Sequence, residues 1–320
     1  MRLPGRAVRG GMGEMLGLLV VLLAAGAATP GAATPKPAAP AAAAPAAAAP
    51  AAAIPATATP EWSDMVPGME LGTFGSSRAR GKDNRIHVLR LDPKRFRLRL
   101  LNASAPSEGR SLSARAWADR HHLAAVINSS MYQADLRSSV SLMRTPGHIN
   151  NPRLSKDRTV LAFDPVEPGV PPVQIIDRDC QDFETVGRAY RTLVQSIRMV
   201  SCHGGNVWSQ QTRAWSTAAI GIDGRGRILF IHARAPHTTH DLIATLLELP
   251  IDLKRAMYAE GGPEAQLFVR GGGREFEFLG ALDDTGANQG PDLAWPIPNV
   301  IGAEAIDAPQ PGGRAADPRR

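Results

Sequence analysis

The stretch Tyr258-Ala-Glu-Gly-Gly-Pro-Glu264 decides how this chain reads. The apolar run Ala256-Met257-Tyr258 meets Glu260, two glycines and a proline, and a second apolar run, Ala265 to Val269, begins at once. That order predicts a strand, a sharp loop and a second strand. Gly261 and Gly262 permit positive φ and let a ligand come close to the backbone. Glu260 and Glu264 bracket the loop. Paired carboxylates at a strand end suit acid and base work, whereas the plain structural alternative is a Gly-Gly-Pro turn with solvated acids.

Working outward, Leu253 to Tyr258 predicts the strand that enters the loop. Ahead of it, Asp241 to Glu248 predicts a helix capped by Thr238 or Thr239, with Leu242, Leu246 and Leu249 on one face. Ser216–Ile222 and Arg227–His232 flank Asp223-Gly224-Arg225-Gly226, the best hairpin signal in the chain. Further strands are expected at Ile86–Leu91, Arg95–Leu100, Leu123–Ile127, Thr159–Phe163, Val173–Ile176 and Leu193–Val200, with a helix over Ser111–Arg120 capped by Ser111. Hairpins together with one strand–helix–strand unit predict an α+β domain on a mixed, mostly antiparallel sheet.

The chain has 320 residues and a formal charge of +6. Arg2, Arg6 and Arg9 precede an apolar run, Met15 to Ala24, and small residues at Ala25 to Ala28. This resembles a secretory signal over residues 1–28, its apolar core being shorter than the roughly 20 residues of a membrane span. No cysteine follows the run to carry a lipid anchor, and no adjacent arginines mark a twin-arginine signal. Residues 29–60 are almost entirely Ala and Pro and predict an extended spacer. The folded domain is expected over 61–303, and 304–320 as a disordered tail. A secreted or periplasmic location follows, with envelope association through the N-terminal segment. In an oxidising compartment the two cysteines, Cys180 and Cys202, are expected to pair; a metal site with His203 lacks a repeated ligand spacing. His237 and His240 lack a third ligand, and Asp177, Asp179 and Asp182 lack an EF-hand glycine. The site is therefore read with no metal, and its cofactor stays open. Arg95, Arg97 and Arg99 project from one strand face, which serves either as a polyanion-binding surface or as a solvated face. Aromatics do not interleave with these charges, so nucleic acid is not the expected partner.

Asn128-Ser-Ser-Met-Tyr132 resembles the Asn-Ala-Gly-Met/Phe-Phe/Tyr element of the phosphodiester glycosidase family, and the order of the motifs that follow it resembles that family too. Gln195-Ser196 stands where bacterial members carry a Gln-Ser pair, and Thr217-Ala-Ala-Ile-Gly-Ile-Asp223 is similar to the family's Arg-Thr-Ala-Ile-Gly-Val-Asp hairpin. Met257-Tyr-Ala-Glu-Gly-Gly262 is similar to its Asn-Leu-Asp-Gly-Gly-Gly-Ser. The sequence departs from the family at Thr217, where Arg is usual, at Glu260 for Asp, and at Pro263-Glu264 for Gly-Ser. The resemblance implies an exported hydrolase that cleaves a sugar from a sugar-1-phosphodiester or a related envelope or exopolysaccharide glycan; the alternative is an inactive module that binds such a glycan or a polyanion. In the first reading Glu260 and Glu264 are the catalytic carboxylates. Arg198 and Arg234 are candidate phosphate forks. Asn128, Tyr132, Gln195 and Thr217 are candidate polar contacts, and Gly261 and Gly262 present backbone to the ligand. Asn128, Gln195, Thr217, Arg234 and Glu260 are expected to converge on one cleft.

Overall fold

Short alternating apolar runs become strands wherever one face can be buried, and in the computed structural model, which describes residues 61–81, 83–281 and 294–306, they dominate. In chain order the strands are β1 (Glu61–Val66), β2 (Met69–Gly75), β3 (Arg85–Leu91), β4 (Phe96–Asn102), β5 (Ala125–Asn128) and β6 (Met143–Thr145). They continue as β7 (His148–Asn151), β8 (Thr159–Pro165), β9 (Val173–Asp177), β10 (Tyr190–Ser196), β11 (Arg198–Val200) and β12 (Trp215–Asp223). The last are β13 (Ile228–His237), β14 (Leu253–Gly261), β15 (Gln266–Gly271), β16 (Arg274–Leu279) and β17 (Asn299–Ala305). Helices are few: α1 (Ala114–His121), α2 (Phe183–Val186) and α3 (Thr239–Glu248). The expected N-terminal signal, the Ala/Pro segment and the C-terminal tail beyond 306 lie outside the described residues. Among the described residues no helix is long and apolar enough to cross a membrane.

Three sheets form, ordered β1-β2-β3-β13-β12-β14-β11, β7-β6-β10-β8-β9 and β16-β15-β5-β17-β4. They share one apolar core in which Ile220 and Met257 meet Ile127, Leu267, Leu161 and Val194. The opposite face of the seven-stranded sheet is covered by α3, through Leu242, Ile243 and Leu246. On the third sheet, Trp117 and Ala118 of α1 cover Val126 and Phe268.

Three expectations change. The sheets were expected to be mixed, yet the described pairings are antiparallel. The α3 crossover does join two parallel strands, β13 and β14, but β12 lies between them and pairs with each. The 193–200 run was expected to be one strand. It is broken at Ile197, whose carbonyl accepts from Tyr258 N–H at 2.9 Å, so β10 and β11 belong to different sheets. Helix α1 is also capped by Ser113 rather than Ser111: its side chain accepts from Ala116 N–H at 3.2 Å. Leu112 is held extended by its bridge to Ile297, which delays the helix start. Thr238 caps α3, accepting from Asp241 N–H at 3.0 Å.

Cys180 and Cys202 form a disulfide with Cα atoms 6.5 Å apart, clipping the turn after β9 to the segment after β11. Removing both cysteines is expected to lower unfolding stability by about 3 kcal/mol, the chain-entropy value for a loop of this size. Urea denaturation of Cys180→Ala/Cys202→Ala against the oxidised protein measures it, and coincident midpoints would refute it. The other candidate ligand groups are occupied locally. His237 is buried between the Ala235 carbonyl and Ser76 Oγ, and His240 lies beside Asp241.

Candidate active site

The strand–loop–strand around Glu260 is built as the alternation predicts: β14, a single 3-10 turn at Gly262–Glu264, then β15. Gly262 has φ of 72°, a left-handed value that favours glycine. Gly261 is required for a different reason. A Cβ there would overlap the Tyr258 hydroxyl and lie 2.7 Å from Trp215 Cδ1. Tyr258 is itself buried and packs on Trp208 with ring centroids 5.7 Å apart, so it has little room to yield. Gly261→Ala is expected to destabilise by about 1–3 kcal/mol through overpacking, measured as a lowered denaturation midpoint; an unchanged midpoint would show that Tyr258 gives way freely.

The turn is held from three sides. Asn128, at the end of β5, donates from Nδ2 to the Glu264 carbonyl at 2.9 Å, and its Oδ1 accepts from Gln266 N–H at 2.7 Å. The buried His232 lies 3.2 Å from the Ala265 carbonyl through Nε2, an acceptor that places the ring proton on Nε2. Burial pushes this imidazole down to about 3, so it stays neutral. Gly280 packs against the Gly262 carbonyl from the third side. Thr217 faces the same turn, in register with Gly261 across the β12–β14 ladder.

These constraints place a cluster of acids and phenols together. Burial, aided by the neighbouring Glu264 carboxylate, pushes the Glu260 carboxyl up to about 8, against the opposing pull of the Gly261 N–H. That N–H donates to Glu260 Oε1 at 3.1 Å. Burial, then Glu260 and Glu264, pushes the Tyr132 phenol up to about 12. Tyr258 is raised as well, by burial first and by the same carboxylates. Glu260 is therefore a protonated acid at neutral pH, beside a second carboxylate and two phenols. Thr217 Oγ1 and Ser129 Oγ are buried without a hydrogen-bond partner among the described residues. Such orphaned polar atoms are uncommon and mark positions where a ligand or water completes the bonding.

Asn128, Tyr132, Thr217, Gly261, Gly262, Glu260 and Glu264 thus gather at one turn, and Arg234 reaches its edge beside the Gly280 that packs on Gly262, whereas Gln195 and Arg198 are spent elsewhere. Gln195 is fully buried, and both ends of its amide are spent. Its Oε1 accepts from Leu142 and Ser155 N–H, and its Nε2 donates to the Ser155 and Asp157 carbonyls. It anchors a loop. Its neighbour Ser196 instead reaches the Tyr258 carbonyl at 2.5 Å, so the Gln-Ser pair is scaffolding beneath the site. Arg198 is committed to Asp177 at 2.8 Å and Asp179 at 2.7 Å. Arg234 donates to the Leu279 carbonyl at 2.9 Å. A strand pattern shows that a residue alternates inward, not what the next sheet offers it, so these commitments were invisible in the sequence. Trp215 and Tyr258 were missed for the opposite reason, since aromatic residues in strands ordinarily signal core. The close packing of both on Gly261 was the available clue, and it needed coordinates.

Two surface concavities, of about 660 and 420 Å³, are lined by other residues, around Arg97 to Asn102 and around Asp64 to Arg90. Their charged groups largely neutralise one another, as in Arg97 with Glu304 at 2.9 Å and Arg90 with Glu70 at 3.0 Å. The perturbed Glu260 carboxyl and the orphaned Thr217 hydroxyl lie at the turn instead.

The family model for phosphodiester glycosidases matches residues 121–304, more than half of the chain. The protein belongs to the phosphodiester glycosidase family. The matched span carries Asn128, Thr217 and the Glu260 turn. Among solved structures, the catalytic domain of zebrafish N-acetylglucosamine-1-phosphodiester alpha-N-acetylglucosaminidase, auto-inhibited by its pro-peptide, is similar with a TM-score of 0.54 and 10% identity over 74% of this chain and 83% of that one. That similarity is one of fold. A Synechocystis protein aligns with a TM-score of 0.48 and 13% identity over 76% and 63% of the two chains. A protein of Burkholderia pseudomallei does so at 0.44 and 11% over 71% and 76%. No curated protein sequence matches the chain.

Proposed function

We propose that this family member is an exported glycoside hydrolase that releases a sugar from a sugar-1-phosphodiester or a closely related envelope glycan. The observation that carries the reading is the half-buried Glu260 carboxyl, held up to about 8 beside Glu264. An acid that keeps its proton at neutral pH can donate it to a departing oxygen. Glu264, at the far end of the same turn, is the group suited to stabilise the oxocarbenium-like sugar or to activate water. Tyr132 and Tyr258 border the carboxylates, and Thr217 Oγ1 offers a donor without a partner. Asn128 serves by clamping the turn rather than by contacting the ligand, since both ends of its amide are occupied. Sugar release from a chromogenic sugar-1-phosphodiester by the purified protein, slowed about 10²–10⁴-fold in Glu260→Gln, is the expected result. Absence of release across a panel of such diesters and matched neutral glycosides would refute the reading.

The alternative, a polyanion-binding module on the basic strands, finds less support in the side chains. Arg78, Arg85, Arg90 and Arg97 are paired with Glu248, Asp83, Glu70 and Glu304. Arginines already neutralised by carboxylates present little net charge to a polymer.

A further inference from the structure

We infer that Arg213 is the residue that receives the anionic part of the substrate, presented at the rim of the Glu260 site on the indole of Trp215. The inference rests on the hydrolase reading above for its substrate class, and it concerns a residue that reading does not use. An anionic group brought to the turn meets the Glu264 carboxylate, whose charge acts on Glu260, Tyr132 and Tyr258. A substrate phosphate therefore requires a cation. Arg198 and Arg234 were expected to provide it; Arg198 is committed to two aspartates, and Arg234 is engaged at the Leu279 carbonyl.

Arg213 is placed differently. Its side chain is exposed and makes no hydrogen bond or ion pair among the described residues, its one contact of note being with an aromatic face. The guanidinium carbon stands 5.9 Å from the Trp215 ring centroid, near the outer limit of about 6 Å for such an attraction. The hold is loose enough for the fork to turn onto two oxygens. Trp215 leads directly to the site, because its Cδ1 and Nε1 lie 2.7 and 2.9 Å from where a Gly261 side chain would begin.

The backbone that carries Arg213 is braced while its side chain is not. Arg80 Nη2 donates to the Thr212 carbonyl at 2.9 Å, and Gln211 Nε2 to the Arg213 carbonyl at 3.4 Å. Gln211 Oε1 in turn accepts from Trp208 Nε1 at 3.1 Å, and Trp208 packs on Tyr258. A cation on a braced backbone, facing the Trp215 ring at the edge of the turn, is a means of recognising an anion there.

The test compares wild type, Arg213→Ala and Arg213→Lys on two substrates with the same sugar, a phosphodiester and a neutral aryl glycoside. Arg213→Ala is expected to raise KM for the phosphodiester roughly 10–100-fold, with KM for the neutral glycoside within about twofold and kcat changed far less; the lysine variant should fall between. Equal effects on both substrates, no effect on either, or a wild type that cleaves only the neutral glycoside would overturn the assignment. If wild type cleaves neither, the hydrolase reading fails, and Arg213 is judged by binding alone. Sugar-1-phosphate should then quench tryptophan fluorescence saturably in wild type, with the quench lost in Arg213→Ala and reduced in Trp215→Phe. Superimposable curves for wild type and Arg213→Ala, or no saturable response in wild type, would count against it. Because Arg213 is exposed, its variants should retain the wild-type melting temperature, which separates loss of binding from loss of fold.

Discussion

Glu260→Gln is expected to lower kcat by about 10²–10⁴-fold, the usual worth of a positioned general acid, while the protein stays folded. The amide keeps the volume and loses the transferable proton. The pH profile tells this from a merely steric defect. With the carboxyl held up to about 8, the active acid form persists through neutrality, and wild-type activity should fall as pH rises through about 8. The Glu264 carboxylate is one cause of that elevation. Glu264→Gln should therefore move the alkaline limb to lower pH, as well as slowing any step that uses Glu264 itself. The stability of the fold carries the same sign. A carboxyl raised above its ordinary value of 4.5 contributes fully below that pH and loses its contribution as pH rises through about 8. Glu260→Gln should thus flatten the decline in stability between those limits. A variant with wild-type kcat, or one whose alkaline limb is unchanged, would remove Glu260 from the chemistry.

Asn128→Ala is expected to cost about 2–5 kcal/mol of unfolding free energy, because it strands two groups at once. The Glu264 carbonyl loses its donor and the buried Gln266 N–H loses its acceptor, and each buried group left unpaired costs about 1–3 kcal/mol. Asn128→Asp discriminates further. It keeps an acceptor for Gln266 N–H but sets a carboxylate against the Glu264 carbonyl, so it should recover only part of the loss. Urea denaturation measures both. Activity should fall in parallel, since the clamp fixes the turn that spaces Glu260 from Glu264. A stable Asn128→Ala protein with displaced activity would instead argue that Asn128 touches the substrate.

Much of this architecture is local in origin and could be read directly. The Asp223–Gly226 turn, the Thr238 cap, the β14–turn–β15 sequence and the Cys180–Cys202 pair depend on spacing, on glycine and proline geometry, and on the small number of partners available. Glu260 and Glu264 were legible as a pair for that reason: three residues separate them, and a turn keeps such neighbours together whatever the rest of the chain does. Asn128 and Thr217 were legible through motifs at strand ends.

What sequence could not supply was the assignment of long side chains to partners in other sheets. Gln195 and Arg198 look like ligand-binding groups in isolation, yet one is consumed by the loop at Ser155–Asp157 and the other by Asp177 and Asp179. Arg213 lies in an unremarkable loop and acquires its place only because Arg80 and Trp208 brace that loop beside Tyr258. The elevation of Glu260 is likewise a tertiary property. Desolvation depends on what packs around a carboxyl, and hydrogen bonds and ion pairs go to whichever group the folded chain brings within reach. Composition and spacing alone determined the turn; the burial that keeps its Glu260 carboxyl protonated, and the cation left over to serve it, were decided by the packing of three sheets.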